Sequence, residues 1–376
     1  MHKMAYYLTS FAVVAGLVAG FGSIRGGIGV AAKTTAEEQT EAVVKATTAF
    51  LNTLTADQRQ KVEFPFTPEK ASQAAVFKSK DGKGPAGGFV AEQYGQAVWS
   101  NYPTTDVPRP GLRFGDLSDT QRKAAMHVFQ VALSPKGYQK VIDIMGSDQA
   151  QFETQHPPYC TGIACYTLGI FGTPSPTSAW MLEFGGHHLG LNLVMRGEHG
   201  VITPTLTGAQ PAVYTSGGKT VRVLAGENDK AFDLLNAFDE SQRKKAILNY
   251  RVADLVLSPG QDGEIIQPEG LKASDMNERQ RTMLLDLISE WAGIVNDAYA
   301  APRVAQIKAG LNDTYFAWSG PTSHAPGQNG SAYYRIQGPR VVIEFSPQDT
   351  QGDPTLHVHT VYRDPLNEYG LEFTKQ

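Results

Sequence analysis

Apolar residues recur at helical spacing in several stretches of this chain, and the same short polar signature precedes them. It reads Thr55-Ala-Asp-Gln58-Arg59, Ser118-Asp-Thr-Gln121-Arg122, Asp239-Glu-Ser-Gln242-Arg243 and Asn277-Glu-Arg-Gln280-Arg281. The first residue of each can accept from a free backbone N–H of a helix start, and the Gln three positions on can return the bond, which makes a capping box. An acid in each first turn suits the helix dipole. Met126, Phe129, Val131 and Leu133 follow the second signature, Ile247, Leu248, Val252, Leu255 and Val256 the third, and Met283, Leu284, Leu287, Ile288 and Trp291 the fourth. The pattern predicts four amphipathic helices. Pro135 and Pro259 are each expected to end one.

Elsewhere the period falls to two. Ala179–Phe184 runs into Gly185-Gly186 and continues as His187–Val194, which reads as a β-hairpin turning at the glycines. Tyr333–Gln337, Arg340–Phe345 and Thr355–Tyr362 read as a three-stranded meander, and residues 201–230 as further short strands broken at Gly217-Gly218 and Gly226. The expected fold class is α+β, with antiparallel hairpins and meanders packed with several amphipathic helices. The helices beginning at Ser118 and Asp239 start 121 residues apart and reach their prolines 124 apart, which hints at an internal repeat. The Gly-rich stretch Gly82–Gly88 lacks the spacing of a phosphate loop.

Lys3, an apolar run from Ala5 to about Gly22, and small residues ending Val30-Ala31-Ala32 have the order of a secretory signal cleaved after Ala32. An uncleaved membrane anchor is the alternative, because the run is at the lower edge of a bilayer span. Residues 33–376 then form a single large α+β domain, exported to the periplasm or the extracellular space, touching a membrane only through the N-terminal segment if that is retained. The net charge is −4, and residues 1–32 contribute two positive charges, so the body is mildly acidic, with no basic run. That argues against nucleic acid as a partner. Cys160 and Cys165 are the only cysteines. In an oxidising compartment they suit a short disulfide loop; a reactive or metal-binding pair and two reduced thiols stay open.

The candidate chemistry gathers on histidine. His357 and His359 alternate along a strand, so they share a face and can reach one ion. His187 and His188, read as strand residues, point to opposite faces. His187 falls with Leu189, Leu191 and Leu193 on the core face, and His188 with Gly190 and Asn192 on the other. The candidate ligands are therefore His188, His357 and His359, for a divalent zinc, copper or iron ion. Asn192 would orient, Glu344 would act as ligand or base (Glu183 is a further carboxylate near the hairpin), and Arg363 would hold an anionic group. His187, Arg335 and Trp318 are accessory candidates. A metal-free polar site and purely structural roles remain alternatives, and no nucleophile motif such as G-x-S-x-G or H-E-x-x-H is present.

Several of these segments resemble one family. Trp180–Asn192, Thr203-Pro-Thr-Leu206, Gly208–Pro211, Phe316-Ala-Trp318, Tyr333–Pro339, Ile343-Glu344 and His357–Pro365 are similar to motifs of the bacterial and fungal family called domain of unknown function 3500, over roughly residues 40–374. The resemblance implies that His187, His188, Asn192, Arg335, Glu344, His357, His359 and Arg363 sit in family-typical motifs. It implies no reaction. Three functions follow as expectations: an exported metal- or His-dependent enzyme acting on a small molecule, a hydrolase before an oxidoreductase; a non-catalytic binding protein for a metal or small ligand; and a membrane-anchored structural protein.

Overall fold

The computed structural model describes residues 34–78, 86–264, 266–349 and 352–375. The leader expected over residues 1–32 lies outside them. No helix among the described residues is long and apolar enough to cross a membrane.

All four capping boxes form, and Thr35 with Glu38 makes a fifth. They open helices α1 (Ala36–Leu51), α2 (Ala56–Val62) and α3 (Asp119–Ala132). α4 (Pro135–Gln155) and α5 (Ala225–Asn236) follow. α6 (Glu240–Ala246) and α7 (Glu278–Ala292) start from the remaining boxes, and α8 (Asp297–Ala309) follows α7. The helices pack on one face of a long antiparallel sheet. Its main strands are β1 (Thr167–Phe171), β2 (Trp180–Gly186), β3 (Leu189–Arg196), β4 (Thr205–Ala209), β5 (Tyr315–Ser319), β6 (Tyr333–Gly338), β7 (Val341–Pro347) and β8 (Val358–Arg363). Their spatial order is β1-β2-β3-β4-β8-β7-β6-β5. Short strands extend both ends, one of them, Glu63–Phe64, parallel to β1, so the whole sheet is mixed. The fold is α+β.

The chain is built twice over. α1–α4 lead into the meander β1–β4, and α5–α8 lead into β5–β8. Gln58 and Gln121 exchange amide hydrogen bonds at 3.3 and 2.8 Å, and Gln242 and Gln280 repeat that exchange at 3.0 and 2.8 Å. Glu63 pairs in parallel with Ile170, and Ile247 in parallel with Trp318. The halves meet about a pseudo-twofold axis. On the sheet, Thr207 of β4 faces Thr360 of β8, their hydroxyls 2.6 Å apart. On the helical side, Ser134 N–H donates to Ile294 O and Asn296 N–H to Ala132 O, both at 3.0 Å.

Five sequence expectations change. The repeat is real in the structure but was paired wrongly: the Thr55 box matches that at Asp239, and the Ser118 box that at Asn277. The helix expected over 239–258 ends at Ala246, because Leu248 N–H turns to Trp318 O and ties the chain to the sheet edge. Pro135 does not only end a helix; it is the first residue of α4, where its missing N–H costs nothing. The short strands read over 201–230 give way to α5 from Ala225. The hairpin turns at His187-His188, and Gly185-Gly186 stay within β2.

Leu189, Leu191 and Leu193 do face the helical core, as their alternation requires. The opposite face of the sheet is polar yet buried, carrying Glu183, Asn192, Arg335, Glu344, His357, His359 and Arg363. A small sheet (Gln73–Phe77, Phe89–Tyr94, Ala97–Trp99) and the segment after α6 cover it. The glutamine pairs join successive helices, α2 to α3 and α6 to α7, in both halves. Gln121→Ala and Gln280→Ala are each expected to lower unfolding free energy by about 1–2 kcal/mol in urea, from a lost cap and buried amide bonds. A loss under about 0.5 kcal/mol would show that the helices hold together without them.

Candidate metal centre

β8 carries His357 at its mouth and His359 two residues on, so both rings rise from the same face. Their Nε2 atoms are 3.1 Å apart. His188 arrives from the β2–β3 turn, and its Nε2 is also 3.1 Å from that of His357. Three imidazole nitrogens thus converge, each ring at most 9% exposed. Ligands held at 2.0–2.1 Å in tetrahedral geometry lie roughly 3.3 Å from one another, close to these spacings.

The turn supplies the third ring by leaving strand geometry. His188 adopts left-handed φ of 62°, uncommon for a residue with a side chain. The alternation rule therefore fails at this point. His187 and His188 do not point to opposite faces; their rings lie together, centroids 3.7 Å apart. Gly208, opposite His359 on β4, gives the space: a Cβ there would lie 2.6 Å from Val358 O and 3.2 Å from the His188 ring.

Burial, reinforced by His187, His357 and His359, pushes the His188 imidazole well below its ordinary pKa. Burial, with His359 and His187, pushes His357 down to about 2. Both rings are neutral at pH 7, the form that donates a lone pair. Around them, Asn101 Nδ2 lies 3.3 Å from His359 Nδ1, and Asp254 Oδ1 3.9 Å from the same nitrogen at the solvent rim. Asp148, on α4, bonds His187 Nδ1 at 2.9 Å. Partners such as Asn101 and Asp254 orient a ligating imidazole, here His359. Asn101, Asp148, Asp254 and Gly208 had not been singled out for a site role. Asp148 sits mid-helix and Asn101 and Asp254 in coil, so no local pattern announces them.

The other sequence candidates go elsewhere. Asn192 donates to Pro204 O at 3.0 Å and faces Glu183 across the β2–β3 ladder. Glu344 accepts from Tyr333 and from the backbone N–H groups of Val256 and Leu257 at 2.9 and 2.7 Å. Arg335 pairs with Glu269 at 3.0 Å. Trp318 is core, stacked 6.0 Å from Tyr334. Cys160 and Cys165 are joined as a disulfide. Arg363 is occupied on every side, by Glu92 at 2.5 Å, Glu368 at 2.7 Å, Leu257 O at 3.0 Å and Ser258 O at 2.9 Å.

A model described as "Protein of unknown function (DUF3500)" matches residues 86–371. The chain belongs to the DUF3500 family. No curated protein and no solved structure matches it. In this DUF3500 chain the matched span takes in all the converging histidines together with Asn101, Asp148 and Asp254, while α1 and α2 precede it. The groups are compatible with a bound metal ion.

Arg363→Ala is expected to cost about 3–5 kcal/mol in denaturant unfolding, because Glu92 and Glu368 would be left buried and uncompensated. A variant as stable as the wild type would return Arg363 to an anion-binding role.

Proposed function

We propose that this protein is an exported metal-dependent enzyme, a hydrolase before an oxidoreductase, with His188, His357 and His359 holding one divalent ion. The observation that carries the reading is the convergence of three buried Nε2 atoms at 3.1 Å steps. Three protein ligands leave a fourth position for water or substrate, the arrangement of catalytic rather than structural zinc. Such an ion supplies an activated water near neutral pH and polarises a carbonyl or phosphoryl oxygen. Asn101 and Asp254 orient His359, and Asp254, with 60% of its side chain exposed, stands at the solvent rim of the centre. Imidazole donors suit zinc, copper and iron, and zinc is the first ion to test. Export to the periplasm or extracellular space is supported by the basic and apolar N-terminal text and by the disulfide.

A second reading, a non-catalytic metal-binding protein, draws on the enclosure of the centre, where His188 is 1% and His359 7% exposed.

Elemental analysis of the purified protein is expected to find one ion per chain, lost in His357→Ala/His359→Ala and kept in Asn192→Ala. Zinc at one hundred times its Kd should raise unfolding free energy by about 2.7 kcal/mol. No ion after exposure to zinc, copper and iron would overturn the metal reading. A stoichiometric ion without metal-dependent turnover of ester, amide or phosphate substrates would select the binding protein.

A further inference from the structure

The Cys160–Cys165 disulfide supports export in the reading above but has no part in its metal chemistry. It closes a short loop whose polar groups grip Asp148. The Thr161 hydroxyl donates to Asp148 Oδ1, and Gly162 N–H donates to Oδ2 at 2.8 Å. Asp148 Oδ1 in turn bonds His187 Nδ1 at 2.9 Å. Tyr159, the neighbour of Cys160, meets the His187 ring edge-on at 5.6 Å. His187 lies against His188, whose Nε2 is 3.1 Å from His357. An unbroken run of contacts therefore joins the disulfide to a candidate metal ligand.

The disulfide also has a chemical neighbour. Arg113 Nη2 is 2.8 Å from Cys160 Sγ and 3.8 Å from Cys165 Sγ. A guanidinium in that place stabilises a thiolate released by opening of the bridge. Cys160 is half-buried and Cys165 only 5% exposed, so an external thiolate reaches Cys160 first.

We propose that the Cys160–Cys165 disulfide is a redox latch on the metal centre: closed, it holds Asp148 and the His187-His188 turn in ligating geometry, and its reduction frees His188 from that geometry. This rests on the reading of His188, His357 and His359 as ligands. The reductant is an external dithiol. Its thiolate attacks Cys160 Sγ, the S–S bond breaks, and Cys165 leaves as a thiolate beside Arg113. The second external thiol then displaces Cys160. Two electrons pass to the protein, the two thiol protons end on Cys160 and Cys165, and the reductant departs as a disulfide. The reopened loop regains conformational freedom, and Asp148 loses its preformed partners.

The test compares the full-length zinc-loaded protein, oxidised and after reduction by a phosphine, with Cys160→Ser/Cys165→Ser, using competition against a chromophoric zinc chelator. Reduction and the double substitution are each expected to weaken zinc binding tenfold or more, the range seen when outer partners of metal ligands are lost. Amide exchange in the same samples should quicken across residues 148–166 and 187–189, with far-ultraviolet circular dichroism unchanged. Zinc affinities within twofold of the oxidised protein overturn the latch. If the oxidised protein takes up no zinc, copper or iron, the metal reading falls, and the exchange data judge the latch separately: unchanged protection at 187–189 on reduction overturns it. Should the serine variant fail to fold, reversible reduction of the wild type carries the test, with Arg113→Gln expected to slow that reduction severalfold.

Discussion

The antiparallel ladder between β4 and β8 is the joint on which the rest of this structure depends. It is where the two halves of the chain meet, with Thr207 and Thr360 facing each other at its centre. Trp291 Nε1 donates to the Thr360 hydroxyl at 3.0 Å, so the joint is tied to the helical layer as well. The same ladder sets Gly208 beside His359 and leaves room for the His188 ring to come over from the β2–β3 turn. A slip of one residue would send His357 and His359 to the helical face and Thr360 to the other, since side chains alternate along a strand. Register, core and candidate centre are one constraint.

Duplication with divergence accounts for where the chemistry sits. The β2–β3 turn offers His187-His188, whereas the matching β6–β7 turn offers Pro339-Arg340. Arg340 there bonds Asp364 at 2.9 Å and Glu372 at 2.6 Å. One end of the pseudo-twofold assembly thus holds a cluster of imidazoles, and the other a charge network. Likewise Glu183 faces Asn192 in the first half, and Arg335 faces Glu344 in the second. These buried polar pairs give the second sheet face its character, and covering segments satisfy many of them through backbone groups. Buried ionic groups of this sort are weak evidence for stability, because desolvation offsets their attraction. Arg363 is the clearest example, held by two carboxylates and two carbonyls where an anion site had been expected.

Local physics was legible wherever a few neighbouring residues decide the outcome. The capping boxes at Thr55, Ser118, Asp239 and Asn277 form because cap and Gln are three positions apart on the same chain. The His-x-His pair on β8 shares a face for the equally local reason that strand side chains alternate. The family was legible too, because its motifs are long and keep their order. The repeat was seen through the wrong pair of boxes, since a helix start and a Leu-Ser-Pro phrase look alike wherever they occur.

What the sequence by itself determined, then, is the set of helix starts, the alternating strands with their leucine face, and the two tight histidine pairs. The tertiary structure decided which of those pieces act together. Whether the Asp239 box opens a long helix or a short one depends on Trp318 waiting at the sheet edge. Whether His188 faces His357 depends on a left-handed turn and on a glycine across the ladder. Asp148 and Asp254 reach the histidines from a helix and a covering loop far away in the chain. Such partnerships are set by packing between distant segments, and no spacing along the chain records them.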